Sequence, residues 1–536
     1  MNNQNTHHIL LIAASAQGHL NPTLQLAKRL TRASPTLHVT FATMATAICQ
    51  LNLPSSEPYL GRLSFATFST GFDDGVKPTD DPKTVAEKAK RVVSTSLHKL
   101  ITTLSNQGRP INLLVYSLML PWAADVAREL HVPSALLFIQ SATTFAIYNR
   151  YFNGNNGSEV KSPKICIELP NMPLFESCDI PTFLLPSSPH YFAAPTIEDH
   201  LRALDKDLNP TVLINSFDAL EESVINNSFN HDDHHRVKLI TVGPLIPSAF
   251  SDMIDPYDVS YGCDLFERSK EYLTWLENQE EKSVIYVSFG SMTVVKRKQF
   301  EEILHGLELT GRPYLWVVRP ITHNKVVGDE DEVVMEDIIK NGLGPISGSP
   351  QEKGLIVPWC NQLEVLSHPA IGCFLTHCGW NSIIESLVTS VPIVGVPQIS
   401  DQPTNAKLVD EVWQVGIRVK KNNDVDGEEV RQCIEIVMGN EEIGEEIRRN
   451  TKKWMELALE AIMEGGSSYN NIECYIKSIQ NVIPKEKIVK MVGPSEEKDQ
   501  LILLLEEEEE EVVKNMEPLD EVLLEKNNII DEVGKS

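Results

Sequence analysis

Short apolar runs alternate with amphipathic stretches along most of this 536-residue chain. In the first half the runs stand at His8–Ala14, Leu37–Thr43, Asn112–Tyr116, Ser134–Ile139, Thr211–Asn215 and Ile240–Val242. Each is short, apolar on both faces and bounded by turn residues, the signature of strands buried on two sides. Helical patterns lie between them: one with Asn21 as its cap and Pro22 at its start, running to about Thr31, another over Pro121–Glu129. Periodicity then fades from Pro244 to about Glu267, where Pro, Ser, Asp and Gly are frequent, which predicts a linker. A second series follows, with strands at Ser283–Phe289, Tyr314–Arg319, Gly354–Pro358, Ile371–Leu375 and Pro392–Val396, and closing helices over about Glu441–Glu464 and Ser468–Ile479. Strands alternating with helices imply parallel pairing, so the expected fold is α/β with two doubly wound, Rossmann-like sheets. The expected boundaries are 1–247, a linker over 248–267, a second domain over 268–483, and a tail over 484–536.

The ends of three strands in the second series carry polar and aromatic clusters. Gly354–Pro358 runs into Trp359, with Gln362 three residues on. Ile371–Leu375 runs into Thr376, His377, Cys378 and Gly379 and opens a helix at Trp380, Asn381 and Ser382. Pro392–Val396 runs into Gln398, Asp401 and Gln402. Open parallel sheets bind ligands outside the carboxyl ends of their strands. A helix N-terminus beside His377 favours a diphosphate. Asn381 and Ser382 share a helix face with Glu385, so two donors for phosphate lie one turn above an acceptor for ribose hydroxyls. Trp359 offers a flat face on which a base stacks, and Asp401 and Gln402 suit the hydroxyls of a hexose. Taken singly, these residues also read as a buried Trp, a core His and a capping Ser; as a set at neighbouring strand ends they describe a site for a nucleotide carrying a sugar.

The block Trp359–Gln402 resembles the signature segment of plant UDP-dependent glycosyltransferases that act on small molecules. It matches at Trp359, Gln362, His368, His377, Trp380, Asn381, Ser382, Glu385, Asp401 and Gln402. The resemblance implies a glycosyltransferase-B arrangement of the two domains around a cleft. It further implies uracil on Trp359, ribose on Glu385, diphosphate on His377, Asn381 and Ser382, and sugar against Trp380, Asp401 and Gln402. Trp380 with a final Gln402 goes in this family with UDP-glucose as donor substrate, without a separate cofactor. The turn Ser288-Phe289-Gly290-Ser291-Met292 is similar to the family's diphosphate loop, in which Ser291 is the contact; it also reads as a plain tight turn.

Glucosyl transfer needs a base near neutral pH, and His is suited to that. His19 follows the first strand through Ser15-Ala16-Gln17-Gly18 and is expected in a loop before the Asn21-Pro22 helix start. Its Gly-His-Leu-Asn-Pro context resembles the family's catalytic segment. Most relatives place an Asp behind this His; the matching position, after Leu113-Leu114-Val115-Tyr116, is Ser117. A serine can bond the imidazole but supplies no charge, so either the acceptor is acidic or Ser117 works through a bridging water. Gly71-Phe72-Asp73-Asp74-Gly75, Tyr116–Trp122 and Pro247-Ser248-Ala249-Phe250 are similar to a subgroup of anthocyanin 5-O-glucosyltransferases and enzymes forming glucose esters of crocetin and hormone acids. The implied reaction is a single inverting displacement giving a β-glucoside or β-glucose ester.

Charge and cysteine content narrow this picture. A net charge of −27 argues against nucleic acid and anionic membrane surfaces as partners. Nine scattered cysteines suggest reduced thiols, and the spacing of Cys373, His377 and Cys378 fits no common zinc pattern, so no metal is expected. The N-terminus has no basic region before its short apolar run, and no run approaches the roughly 20 residues of a membrane span; a cytosolic monomer is expected. The last segment holds 16 acidic and 7 basic residues, and its stretch LILLLEEEEEE over Leu501–Glu511 reads as a solvated tail. A partner-docking helix or an unusual splice product is the alternative reading of that tail. A sugar-nucleotide-binding protein acting through the tail, with little catalysis, is the functional alternative.

Overall fold

The structure, a computed structural model, describes residues 6–48, 61–72, 82–153, 165–228, 237–261, 271–293, 295–318, 353–420 and 425–481. The acidic tail over 484–536 lies outside the described residues. Two parallel sheets occupy one compact unit, Met1–Ile476. A second unit, Lys477–Ser536, is described only in the last residues of the helix Ser467–Asn481.

The first sheet has seven strands: β1 His7–Ile12, β2 Leu37–Met44, β3 Leu63–Phe68, β4 Leu113–Ser117, β5 Ser134–Phe138, β6 Thr211–Ile214 and β7 Lys238–Thr241. Their order is β3-β2-β1-β4-β5-β6-β7. The second has six: β8 Val284–Ser288, β9 Tyr314–Val317, β10 Gly354–Val357, β11 Ile371–Thr376, β12 Ile393–Gly395 and β13 Gly416–Arg418, in the order β10-β9-β8-β11-β12-β13. All eleven predicted strands are present, each end within two residues of its expected place. The sequence reading lacks β3 and β13. β3 is a sheet edge whose Leu63-Ser64-Phe65-Ala66-Thr67-Phe68 is only partly buried, and β13 has three residues, so neither makes a continuous apolar run.

Both sheets reverse their strand order once, between β1 and β4 in the first and between β8 and β11 in the second. A crevice opens at such a switch point because the connections leave in opposite directions. Ile12 pairs with Tyr116 across the first switch, and Thr376 with Ser288 across the second. The loop to His19, the end of β4 at Ser117, the Gly290 turn and His377 therefore all emerge at switch points. The second sheet is held between two apolar layers, one built around Phe300, Trp316, Ile356 and Ile434, the other around Trp275, Tyr286, Leu355 and Phe374.

One expected element differs in a way that bears on function. The helix begins at Gln17, not at Asn21, and continues to Ala33, so His19 sits in its first turn rather than in a preceding loop. Pro22 lies inside the helix. A proline there cannot donate to the carbonyl four residues earlier. That carbonyl belongs to Gly18, and the Asn381 side-chain amide of the second domain donates to it instead, at 3.0 Å.

The segment read as a linker is anchored. Lys28 and Asp258 form a buried ion pair of 2.7 Å, and Asp258 also accepts from the Ser248 backbone. The helix Ser467–Asn481 returns to the first sheet, where Ser468 and Asn471 donate to the carbonyls of Gly243 and Thr241.

Candidate active site

On the first domain the site is built at β1 and β4. The Ser117 hydroxyl accepts from the Ala14 backbone N–H and donates to the Leu118 carbonyl, each at 3.3 Å. Its remaining lone pair faces His19 Nδ1 at 3.5 Å. The ring also bonds the Leu118 carbonyl. Both neighbours take a proton from Nδ1, which leaves Nε2 as the basic nitrogen. Burial pushes the His19 imidazole down to about 4, against the smaller lifting effect of the Leu118 carbonyl. His19 is therefore neutral at pH 7, but weakly basic, because no carboxylate stands behind it.

On the second domain His377 leaves β11 between two glycines. A Cβ on Gly290 would lie 2.6 Å from His377 Nε2, and one on Gly379 would lie 2.5 Å from it. Gly290 has φ +72°, which also favours glycine. Bare backbone on both sides of the imidazole leaves room for a ligand to approach the N-terminus of the helix Trp380–Val388. Burial holds His377 down at about 4, partly offset by a hydrogen bond to the Ser288 carbonyl. The imidazole thus offers a dipole, not a positive charge. Ser291 is half-buried in the turn that follows Gly290.

Gln362, at the start of the helix Gln362–Leu366, links the next group. Its amide nitrogen donates to Ser382 Oγ at 2.9 Å and to the Glu385 carboxylate, and its oxygen accepts from Tyr286 at 3.2 Å. Glu385 is buried, and burial lifts its carboxyl to about 7 although Gln362 and the Tyr261 hydroxyl both hydrogen-bond it. Trp359 stands half-buried in the loop before Gln362.

Asp401 and Gln402 follow β12. Asp401 is buried, accepts from Asn405 at 2.7 Å and is bonded by Ser400 and Gln140. Gln402 Oε1 accepts from the backbone of Gln398 and Ile399, each at 2.9 Å, which fixes the loop and leaves the Gln402 amide hydrogens for a ligand. Trp380 is buried, packs at 51° against Trp413 and donates its indole N–H to the Asn215 carbonyl of the first domain at 2.7 Å. Its indole nitrogen is thus used between the domains, and a sugar would meet its ring or its backbone.

Across the cleft, Asp179 of the first domain is buried against Arg418 (2.5 Å) and Lys407 (3.2 Å) of the second. Thr404 donates to the Asp179 carbonyl, and Thr182 and Ser400 exchange hydrogen bonds beside it. This seam ties the loop carrying Asp401 to the first domain.

Four residues near the site escaped the sequence reading: Gln140, Tyr261, Asn215 and His200. Gln140 stands just past β5 and was findable by the same strand-end rule. Asn215 acts through its carbonyl, for which a sequence has no signal. Tyr261 and His200 reach the site only through the path of the chain in space. Among the described residues no three of His, Cys, Asp and Glu gather as a metal set, and no helix is long and apolar enough to cross a membrane.

Residues 263–453 match the family model described as UDP-glucuronosyl and UDP-glucosyl transferase. The chain is 45% identical over 490 residues to a phloretin 4'-O-glucosyltransferase of Malus domestica, covering 88% of this chain and 98% of that one. It is 44% identical to a chloroplastic crocetin glucosyltransferase of Gardenia jasminoides, covering 88% and 97%. Among solved structures it resembles Os79 from O. sativa in complex with UDP, with a TM-score of 0.71 and 31% identity over 88% of this chain and 100% of that one. With two switch-point sheets carrying that signature and relatives matched over nearly their whole length, the chain belongs to the plant UDP-dependent glycosyltransferase family and has its glycosyltransferase-B fold.

Proposed function

We propose that the protein transfers glucose from UDP-glucose, with inversion, to a hydroxyl or carboxyl of a small plant metabolite: a flavonoid or anthocyanin, an apocarotenoid or a hormone acid. The observation that carries this reading is the placement of His19 and the donor-site residues at facing switch points, joined by the Asn381–Gly18 hydrogen bond.

In the proposed mechanism Trp359 stacks the uracil and Glu385 accepts from the ribose hydroxyls. The diphosphate lies over the helix Trp380–Val388, meeting backbone N–H groups, Asn381, Ser382, Ser291 and neutral His377. Asp401 and Gln402 hold the glucose hydroxyls, with Trp380 packed beside them. His19 Nε2 takes the proton of a hydroxyl acceptor as its oxygen attacks the anomeric carbon; the bond from that carbon to the diphosphate breaks and UDP leaves. Fixed N–H dipoles stabilise the charge that develops on the leaving diphosphate. Ser117 orients His19 without charging it, which favours acceptors that are already acidic. The proposal takes the chain as a cytosolic monomer that needs neither metal nor separate cofactor.

The test is release of UDP from UDP-glucose with a phenol and a carboxylic acid panel, wild type beside His19→Ala. Turnover that His19→Ala abolishes with phenols and only reduces with carboxylates is expected. Tight UDP binding without turnover on any acceptor would overturn the reading.

A further inference from the structure

His200, in the helix Ala194–Asp205, is buried beside the catalytic histidine and has no part in the mechanism above. Its ring lies parallel to Tyr116, with centroids 6.0 Å apart and planes at 4°. The Met119 backbone N–H donates to its Nε2 at 3.2 Å. His19 bonds Ser117 and the Leu118 carbonyl. The two imidazoles therefore grip consecutive residues, Tyr116 to Met119, at the end of β4. Met119 has φ +80°, a conformation unusual for a residue with a side chain, and it turns that N–H onto His200.

The Met119 hydrogen bond fixes the tautomer. Nε2 accepts, so in the neutral ring the proton sits on Nδ1. That Nδ1–H is buried and has no partner among the described residues. A buried donor left unsatisfied is unfavourable, and such groups mark places where a ligand supplies the missing acceptor. Ser117 in place of a carboxylate adds an independent observation: the centre lacks the charge that a weakly acidic hydroxyl would require.

We propose that His200 Nδ1–H binds one oxygen of a carboxylate acceptor while the other oxygen attacks the anomeric carbon, so that the preferred acceptors are carboxylic acids and the product is a glucose ester. The inference rests on the glucosyltransferase reading and deepens it. The step balances without a base. The carboxylate oxygen forms the bond to the anomeric carbon, the carbon–oxygen bond to the diphosphate breaks, and UDP leaves with the electron pair. A hydroxyl acceptor without a second oxygen cannot use the His200 donor.

Three proteins test it: wild type, His200→Gln and His200→Asn, assayed with cinnamic acid and with a simple monohydric phenol. A Gln amide reaches the Met119 N–H but loses the Nδ1 donor, whereas an Asn amide keeps a donor near Nδ1 and loses the Met119 contact. For His200→Gln the KM for cinnamate should rise at least fivefold more than the KM for the phenol, and His200→Asn should recover part of that difference. UDP affinity and thermal melting of both variants report whether the donor domain and fold are intact. Equal changes on acid and phenol, or none, would overturn the role of His200, as would a wild type active on phenols alone. No turnover by wild type on any acceptor would sink the glucosyltransferase reading, and this proposal with it.

Discussion

The Asn381 side-chain amide donates to the Gly18 carbonyl across the cleft, at 3.0 Å, because Pro22 has no N–H to claim that carbonyl. One residue after Gly18 is His19, the proposed base, and four residues before Asn381 is His377. A single hydrogen bond therefore couples the acceptor-side helix to the diphosphate loop, and a proline within a helix, ordinarily costly, is what frees the carbonyl.

Pro22→Ala supplies the missing N–H and lets Gly18 bond within its own helix. Melting temperature should hold or rise, while kcat/KM falls several-fold as Asn381 loses its hold, a net hydrogen bond being worth about 1 kcal/mol. Unchanged kcat/KM in Pro22→Ala would show that the coupling has no catalytic weight.

Ser117→Asp places a negative charge next to His19. An opposite charge within hydrogen-bond reach raises an imidazole pKa by roughly 1–3 units, from about 4 towards neutrality. Wild-type His19 is neutral above about pH 5, so with UDP-glucose saturating, kcat/KM for a phenol acceptor should be flat from pH 5 to 8 and fall only as the pH drops through about 4. The variant should gain on the order of tenfold with weakly acidic phenols, gain little with carboxylates, and move its acid limb upward. The pH profiles of kcat/KM with both acceptors decide it, and identical profiles would remove Ser117 from the orienting position.

Glu385 gives the opposite sign on the donor side. Its carboxyl is lifted to about 7 by burial, and the ribose hydroxyls it is proposed to hold bond more strongly to the ionised form. The KM for UDP-glucose, whose phosphates do not titrate in this range, should fall as pH rises from 6 to 8. Glu385→Gln should raise that KM and abolish its pH dependence. A KM that stays pH-dependent in Glu385→Gln would assign the titration to another group.

Gly290→Ala puts a Cβ 2.6 Å from His377 Nε2 on a backbone with φ +72°. The left-handed conformation alone costs a residue with a side chain roughly 1–2 kcal/mol. The variant should melt earlier and lose most of its affinity for UDP, measured by calorimetry. Wild-type UDP affinity would place the diphosphate away from His377.

Asp179→Asn removes the more buried of the two carboxylates that Arg418 and Lys407 share, leaving both cations only Glu411. A buried charge left uncompensated costs about 3–5 kcal/mol; with Glu411 still beside both cations the loss should be smaller, read as a clear drop in melting temperature at pH 7. The Asp179 carboxyl lies below its usual range: burial raises it, but hydrogen bonds and charge from Arg418 and Lys407 together outweigh that. Its contribution is therefore present above the ordinary carboxylate pKa and fades as the pH falls below it, so wild type and variant should converge in acid. Equal melting of the two at pH 7 would dismiss the seam as a stabilising contact.

The sequence by itself determined the fold class, eleven of the strands, and the set of residues at the carboxyl ends of the second sheet. These are local properties: an apolar run buried on both faces, and polar residues placed where such a run stops. The edge strands β3 and β13 escaped because one is half-exposed and the other has three residues. What only the tertiary structure decided is how those residues are used. Pro22 looks like a helix start in sequence, yet the helix extends a turn earlier because a side chain 359 positions away completes its hydrogen bonding. The family resemblance implies that Trp380 faces the sugar, but its indole nitrogen goes to Asn215. His200 carries no motif and comes beside His19 only because the chain folds Ala194–Asp205 against the end of β4. Hydrogen bonds to a backbone carbonyl, an imidazole tautomer and a buried donor depend on which segments meet, and no local pattern in the chain specifies that meeting.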